Sequence, residues 1–277
     1  MGSLGVSKLR LEGKVAIITG AASGIGEAAA RLFVENGAFV VVADVQDELG
    51  TKVVSSIGAD RACYKHCDVT DEKQVEELVA FAVETYGTLD IVYSNAGIMG
   101  PLPGILDLDL GFFKKTMSVN ACGAAAVIKH AGRVMVERKI RGSIVCTASI
   151  AAARGGASPV AYTASKHALL GVVRSASREL GAHGIRVNAV SPFGVATPMS
   201  RAVSGEVKDW DAKFIDMSRS GTGYLKGTYL EAKNVAEGAL FLASDESSCV
   251  SGHDLVVDGG YTVSCDAFPI GIKPTED

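Results

Sequence analysis

The sequence predicts an α/β fold, one doubly wound domain built on a mostly parallel, seven-stranded sheet. Three observations predict it. Short, almost continuously apolar runs alternate with longer stretches of helical periodicity, the pattern of parallel strands covered on both faces. A glycine-rich string, Thr19 to Gly26, joins the first run to the first helical stretch. An acidic residue, Asp44, ends the second run 18 residues after Gly26.

Val15 to Thr19 is the first strand, and Ile25, Ala28, Ala29, Leu32 and Phe33 mark one face of a helix over Gly24 to Asn36. Gly37 supplies the left-handed residue that ends such a helix, and Phe39 to Ala43 is the second strand. A third strand is expected near Ala62 to His66, then a helix opened by Thr70 and Asp71 that runs toward Tyr86. Leu89 to Tyr93 and Ser143 to Thr147 are the fourth and fifth strands, with a long helix between them after the Gly100 to Gly104 loop. Ala161 to Leu180 is the next helix, Arg186 to Ser191 the sixth strand, and Gly184 the turn between them. Residues 192–233 lose the pattern and are expected to form an excursion at the sheet's edge. Glu237 to Ala243 resumes a helix, and Leu255 to Asp258 closes the series as the seventh strand. The expected organisation is a loose arm over residues 1–10, a catalytic domain over 11–265 and a tail over 266–277.

Composition narrows the function. Lys and Arg number 27 against 31 Asp and Glu, a net charge of -4, so there is no basic field or basic run to hold a nucleic acid. Apolar residues make up 48% and charged residues 21%, which suits a domain with a real core. No apolar stretch reaches the ~18 residues of a membrane span, and Met1 to Arg10 has no apolar segment of a secretory signal, so a soluble, cytoplasmic chain is expected. The six cysteines (Cys63, Cys67, Cys122, Cys146, Cys249, Cys265) fall mostly in strand-like or small-residue segments, as reduced, buried thiols would. Cys63, His66 and Cys67 are close in sequence, but no second Cys/His pair follows at a zinc spacing, and no metal is predicted.

The turn Gly20-Ala-Ala-Ser23-Gly24-Ile25-Gly26 places unpaired N–H groups and a helix dipole where a pyrophosphate would sit. Asp44 stands close to the ~20 residues expected of the acid that holds a dinucleotide's ribose hydroxyls. Its carboxylate would repel a 2′-phosphate, and neither the turn nor Val45-Gln46 offers an Arg or Lys to receive one. The predicted cofactor is NAD.

Tyr162 and Lys166, four residues apart on a helix, share one face. A free tyrosine has a pKa of ~10 and is a poor base at neutral pH, but a nearby cation stabilises the phenolate. Ser149 follows the fifth strand at the carboxyl end, where α/β sheets bind their ligands, and its hydroxyl can hold a substrate oxygen.

Together these residues resemble the short-chain dehydrogenase/reductase family, with its Rossmann-type fold, over residues 12–262. Thr19 to Gly26 matches the family's TGxxxGIG turn, Asn95-Ala96-Gly97 its NAG, and Ser149 precedes Tyr162 by the usual thirteen residues. The resemblance implies that Asp68-Val69 caps the adenine amino group, and that Asn120 joins Ser149, Tyr162 and Lys166 as a fourth catalytic position that holds a water in a proton relay. It implies that Val195 and Thr197 lie against the nicotinamide half, although the family's PG is spread here to Pro192-Phe193-Gly194. It also implies a homotetramer, built partly on the helices bearing Asn120 and Tyr162. Glu179 to Asn188 and Val250 to Tyr261 are similar to the plant group that contains secoisolariciresinol dehydrogenase and terpenoid alcohol dehydrogenases such as borneol and isopiperitenol dehydrogenase.

The resulting expectation is oxidation of an apolar cyclic secondary alcohol, of terpenoid or lignan type, to a ketone or lactone. The alternatives are ketone reduction with NAD(P)H and a nucleotide-binding regulator of weak activity. Candidate pocket walls are Ile98, Met99, Ile150, Ala151, Gly155, Gly156, Phe193, Met199, Trp210, Phe214, Met217 and Tyr224, with Arg154 and Arg201 expected on loop rims.

Overall fold

Neighbouring residues of the first strand face opposite ways: Ile17 packs into one apolar layer, Ala16 and Ile18 into the other. The same alternation runs through the central strands of the computed structural model, which describes residues 9–101, 104–156, 158–204, 225 and 229–263. The strands are β1 (Val15–Thr19), β2 (Phe39–Asp44), β3 (Ala62–His66), β4 (Ile91–Ser94), β5 (Ser143–Thr147), β6 (Arg186–Pro192) and β7 (Asp254–Val257). They form one sheet in the order β3-β2-β1-β4-β5-β6-β7, and every pairing is parallel.

The described helices are α1 (Gly24–Glu35), α2 (Asp47–Ile57), α3 (Glu72–Tyr86), α4 (Leu110–Met117), α5 (Ala124–Glu137), α6 (Val160–Gly181), α7 (Pro198–Ser204) and α8 (Ala232–Ala243). On one face Leu78 of α3, Met135 of α5 and Leu169 of α6 close over Ile17, Val92 and Ile144. On the other, Phe33 of α1 and Leu240 of α8 close over Ile18, Val42 and Tyr93. Each such large side chain, fully buried, stabilises the fold by about 1.5–3 kcal/mol. The chain reverses direction across the sheet between β1 and β4, and this switch opens a crevice at the carboxyl ends of the two strands.

Four features differ from the sequence reading. Helix α2 was not expected: it buries only Gly50 and Val53, so it has almost no apolar face to read. Gly50 is required there because a Cβ would lie 2.1 Å from the Tyr64 ring. Helix α8 starts at Ala232 rather than Glu237, under a capping box made by Glu231 and Asn234. The long helix before β5 is broken into α4 and α5 by a π-helical segment, Ser118–Gly123. Among the described residues only Cys67 and Cys146 are buried thiols; Cys63 is half-buried, and Cys122 and Cys249 are exposed.

Residues 1–8 and 266–277, Cys265, and the pocket candidates Trp210, Phe214, Met217 and Tyr224 lie outside the described residues. Arg10 is tied to the domain by Glu246 at 2.5 Å. Among the described residues no group of His, Cys, Asp and Glu is arranged to hold a metal ion, and no helix is long and apolar enough to cross a membrane.

Candidate active site

The glycine turn is pressed onto the end of β4. Gly20 has φ +64°, and a Cβ there would lie 2.8 Å from the Ala96 Cα. At Gly26 a Cβ would lie 2.2 Å from the Gly20 oxygen and 2.7 Å from Asn95 Nδ2, so any side chain would push the turn off its floor. Ser23 is the N-cap of α1, yet its side chain makes no capping bond, and the first-turn N–H groups around Ile25 are left for a ligand. A shallow cradle with outward donors at a helix N-terminus fits a dinucleotide pyrophosphate.

Asp44 closes β2 beside this turn and is buried. Its Oδ2 accepts from Ala22 N at 2.9 Å, and Oδ1 accepts from Gln46 N at 3.1 Å and Gln46 Nε2 at 3.2 Å. A carboxylate has about four acceptor positions, so room remains for a ribose hydroxyl. Val45 next to it is exposed. Asp68 follows β3, its Oδ1 held by the Thr70 N–H and hydroxyl at 2.9 and 2.8 Å. Val69 is buried and packs on the π segment, where a Cβ on Gly123 would lie 2.7 Å from its Cγ2.

Asn95 joins the turn to the neighbouring strands. Its Nδ2 donates to the Thr19 and Gly20 carbonyls, each at 3.1 Å, while Thr19 Oγ1 accepts from the N–H groups of Asn95 and Ala96 at 3.0 and 3.1 Å. The Thr147 hydroxyl, at the end of β5, lies 2.9 Å from Asn95 Oδ1 and 2.8 Å from the Tyr93 hydroxyl. Tyr93 and Thr147 were not foreseen as site residues, and Thr19 only as the first residue of the turn motif; a hydroxyl at the very end of an apolar strand is the signal that marks Thr19 and Thr147.

The reactive groups converge beside this network. Ser149 is extended after β5, and its Oγ accepts from Ala151 N at 3.1 Å in the short 3-10 turn Ile150–Ala152. Tyr162 lies in the first turn of α6 and Lys166 one turn later, both buried. Burial pushes the Tyr162 phenol up to about 12, and a hydrogen bond from Ser149 pulls it the other way. Burial pushes the Lys166 ammonium down to about 8. Lys166 Nζ donates to the Thr147 carbonyl at 2.6 Å and lies 5.4 Å from the centre of the Tyr162 ring. Without a ligand the phenol is therefore protonated at neutral pH; proximity to Lys166 alone does not outweigh burial.

Asn120 sits in the π segment, 1% exposed. Its Oδ1 accepts from Ile98 N at 2.8 Å, and its amide donates to Ile98 O at 2.8 Å and Ser165 Oγ at 3.0 Å. Both amide hydrogens are thus committed, and the side chain works as a clamp on Ile98. A Cβ on Gly97 would lie 3.3 Å from Asn120 Oδ1 and 3.7 Å from Lys166 Nζ, so Gly97 lets these two groups approach.

The segment after β6 folds back over the turn. Val195 is buried with the α1 layer, and Thr197 Cβ lies 3.4 Å from where a Gly24 side chain would begin. Phe193 packs on Tyr261, ring centres 4.4 Å apart. Arg154 donates to the Tyr261 carbonyl at 3.3 Å, and Arg201 belongs to α7 rather than to a loop rim. The sheet thus brings together the turn, Asp44, Asn95 to Gly97, Asn120, Ser149, Tyr162, Lys166 and Thr197 at one edge.

Comparison with known proteins is consistent across the chain. A family model described as enoyl-(acyl carrier protein) reductase matches residues 20–262. Short-chain dehydrogenase reductase 3b of Arabidopsis thaliana is 56% identical over 258 residues, 93% of this chain and 99% of the relative. A (+)-cis,cis-nepetalactol synthase of Nepeta racemosa is 51% identical over 266 residues, 95% of this chain and 96% of the relative. The crystal structure of levodione reductase superimposes with a TM-score of 0.82 at 30% identity, covering 92% of this chain and all of that one.

Proposed function

The chain belongs to the short-chain dehydrogenase/reductase family, oxidoreductases that bind NAD(H) or NADP(H), and on that premise we propose that it is an NAD-dependent alcohol dehydrogenase. Its substrate class is an apolar cyclic secondary alcohol of terpenoid or lignan type, oxidised to a ketone, or through a lactol to a lactone. The observation that carries the reading is the buried Ser149–Tyr162 hydrogen bond with Lys166 one helical turn away, beside a turn guarded by Asp44.

The turn residues Gly20, Ser23, Gly24, Ile25 and Gly26 would hold the pyrophosphate, Asp44 and Val45 the adenosine ribose, Asp68 and Val69 the adenine, and Asn95 to Gly97, Val195 and Thr197 the nicotinamide half. NAD, when bound, supplies the acceptor for the hydride that the carbinol carbon loses. Tyr162 as phenolate takes the hydroxyl proton, and Ser149 donates a hydrogen bond to the same substrate oxygen. Lys166 favours the phenolate by its charge and offers its remaining N–H groups to the nicotinamide ribose. Asn120 holds Ile98, and with it the main chain that follows Gly97.

The relatives in Nepeta are named for a lactol, a cyclic hemiacetal whose hydroxyl-bearing ring carbon is the kind of centre such a site oxidises. Ketone reduction is the second reading, supported by the name of the superimposing levodione reductase. We further propose a cytoplasmic homotetramer. The test of the cofactor and chemistry is the absorbance of reduced cofactor on mixing the protein with NAD or NADP and a panel of secondary alcohols. Turnover with NADP matching that with NAD would overturn the choice of cofactor, and no turnover of any alcohol would overturn the chemistry.

A further inference from the structure

The Thr147 hydroxyl has no part in the proton transfer above, yet it is buried between two polar groups. It has one proton and two polar neighbours. Asn95 Oδ1, 2.9 Å away, can only accept, because the Asn95 amide nitrogen is turned to the Thr19 and Gly20 carbonyls. Both contacts are satisfied when Tyr93 donates to Thr147 and Thr147 donates to Asn95. The chain of donors then runs from Tyr93 through Thr147 and Asn95 into the carbonyls of the glycine turn.

We propose that Thr147 is a positioning residue for the dinucleotide turn, with Tyr93 as its anchor. The inference rests on the cofactor reading given above. The Thr147 proton fixes which way the Asn95 amide points; flipped, the amide would set its oxygen against two carbonyls. The amide is the floor of the turn, since a Cβ on Gly26 would lie 2.7 Å from Nδ2. The Tyr93 ring is wholly buried and stacks on Phe33 of α1, centres 6.3 Å apart. Helix α1 thus fixes the ring that orients the hydroxyls that hold the turn from which α1 itself starts. The Thr147 carbonyl, which receives Lys166, is untouched by a change of its side chain. The hydroxyl therefore governs cofactor affinity and the carbonyl governs Lys166, two effects that substitution separates.

Thr147→Val removes only the hydroxyl and keeps the branched shape, while Thr147→Ser keeps the hydroxyl. Calorimetric titration with NAD should show Thr147→Val binding about tenfold more weakly, as one unsatisfied buried acceptor implies. Thr147→Ser should stay within about twofold of wild type, and the loss in Thr147→Val should fall on KM for NAD rather than on kcat. Thermal melting of the cofactor-free proteins runs alongside. An unchanged NAD affinity in Thr147→Val, with or without a lower melting temperature, would overturn the inference, as would equal damage in Thr147→Ser. Should Thr147→Val not fold, Tyr93→Phe deletes the anchoring hydroxyl alone and should weaken NAD about threefold, an unchanged affinity again overturning the inference. A wild-type protein that binds neither NAD nor NADP would instead overturn the cofactor reading, a failure visible before any substitution is made.

Discussion

Lys166 Nζ donates to the Thr147 carbonyl across 2.6 Å, which ties the ammonium of α6 to the end of β5. This hydrogen bond serves a charge that the fold buries, Lys166 being 3% exposed. The fall of its pKa from the ordinary 10.5 to about 8 corresponds to about 3 kcal/mol spent on keeping the ammonium charged in the fold. Below pH 8 both folded and unfolded chains carry the proton, and the whole penalty applies. Between about 8 and 10.5 the unfolded chain binds more protons than the folded one, so the penalty fades as pH rises.

Lys166→Met should therefore stabilise the cofactor-free protein at pH 7. The orphaned Thr147 carbonyl takes back about 1 kcal/mol, leaving a gain of about 2 kcal/mol. The gain should shrink toward pH 10.5, and turnover should be lost at every pH. Denaturant midpoints of the two proteins across this range check it; a variant less stable than wild type at pH 7 would contradict the account of burial.

Tyr162→Phe should lower kcat by about a thousandfold, the middle of the range that one proton acceptor contributes, and leave the calorimetric affinity for NAD nearly intact. The ring stays and the proton acceptor goes. Because burial holds the phenol near 12 in the free protein, alcohol oxidation by wild type should rise with pH across the neutral range. Retention of more than a few per cent of activity in the variant would remove Tyr162 from the mechanism.

Asp44→Ala should weaken NAD by about tenfold and raise the NADP-to-NAD ratio of kcat/KM by about a hundredfold. It deletes an acceptor for the ribose hydroxyls and the negative charge that a 2′-phosphate would meet. The same substitution frees the Ala22 and Gln46 N–H groups that the carboxylate now holds, and these become donors for that phosphate. Steady-state kinetics with both cofactors decide it, and an unchanged ratio would refute the assignment.

The residues legible in the sequence are those whose spacing is itself the geometry. Four positions on a helix stack Lys166 behind Tyr162, and a strand, turn and helix carry Gly20 to Gly26 up to Asp44. Thr147 and Tyr93 were hidden because a hydroxyl in an apolar run reads as core, and only the pairing of β4 with β5 brings the two together. Helix α2 was hidden because it lies on the rim with Val53 as its only large buried residue. The π segment was hidden because its Ser118, Ala121, Cys122 and Gly123 are too small to mark a face whose shift would show the extra residue, yet it includes Asn120, which holds Ile98.

Among the described residues, nothing packs against Gly171 of helix α6. Gly171 is exposed, and a Cβ there would meet nothing within 4 Å, whereas Ala161 on the same helix is buried. An exposed glycine of this kind lets a second copy approach closely, as the proposed assembly requires. Light scattering at micromolar concentration should report a homotetramer of the 28.6 kDa chain, and Gly171→Arg should dissociate it. A monomeric wild type would refute the assembly.

The substrate prediction follows from which charges face the site. A phosphorylated or carboxylated substrate needs a convergent Arg or Lys. Arg154 is engaged instead with Tyr261, its guanidinium 5.8 Å from that ring and bonded to its carbonyl, and Lys166 is committed to Thr147. The proposed pocket walls Ile98, Met99, Ile150 and Ala151 are apolar and would bury a hydrocarbon skeleton, leaving Ser149 and Tyr162 as its polar contacts. The proposed direction rests on Asp44, because a site that selected NAD would meet a mostly oxidised pool. Assays with terpenoid and lignan alcohols beside sugars, polyols and hydroxy acids should give the higher kcat/KM to the apolar set. A preference for the polar set would reject the substrate class, and efficient NADH-driven ketone reduction with negligible alcohol oxidation would reject the direction.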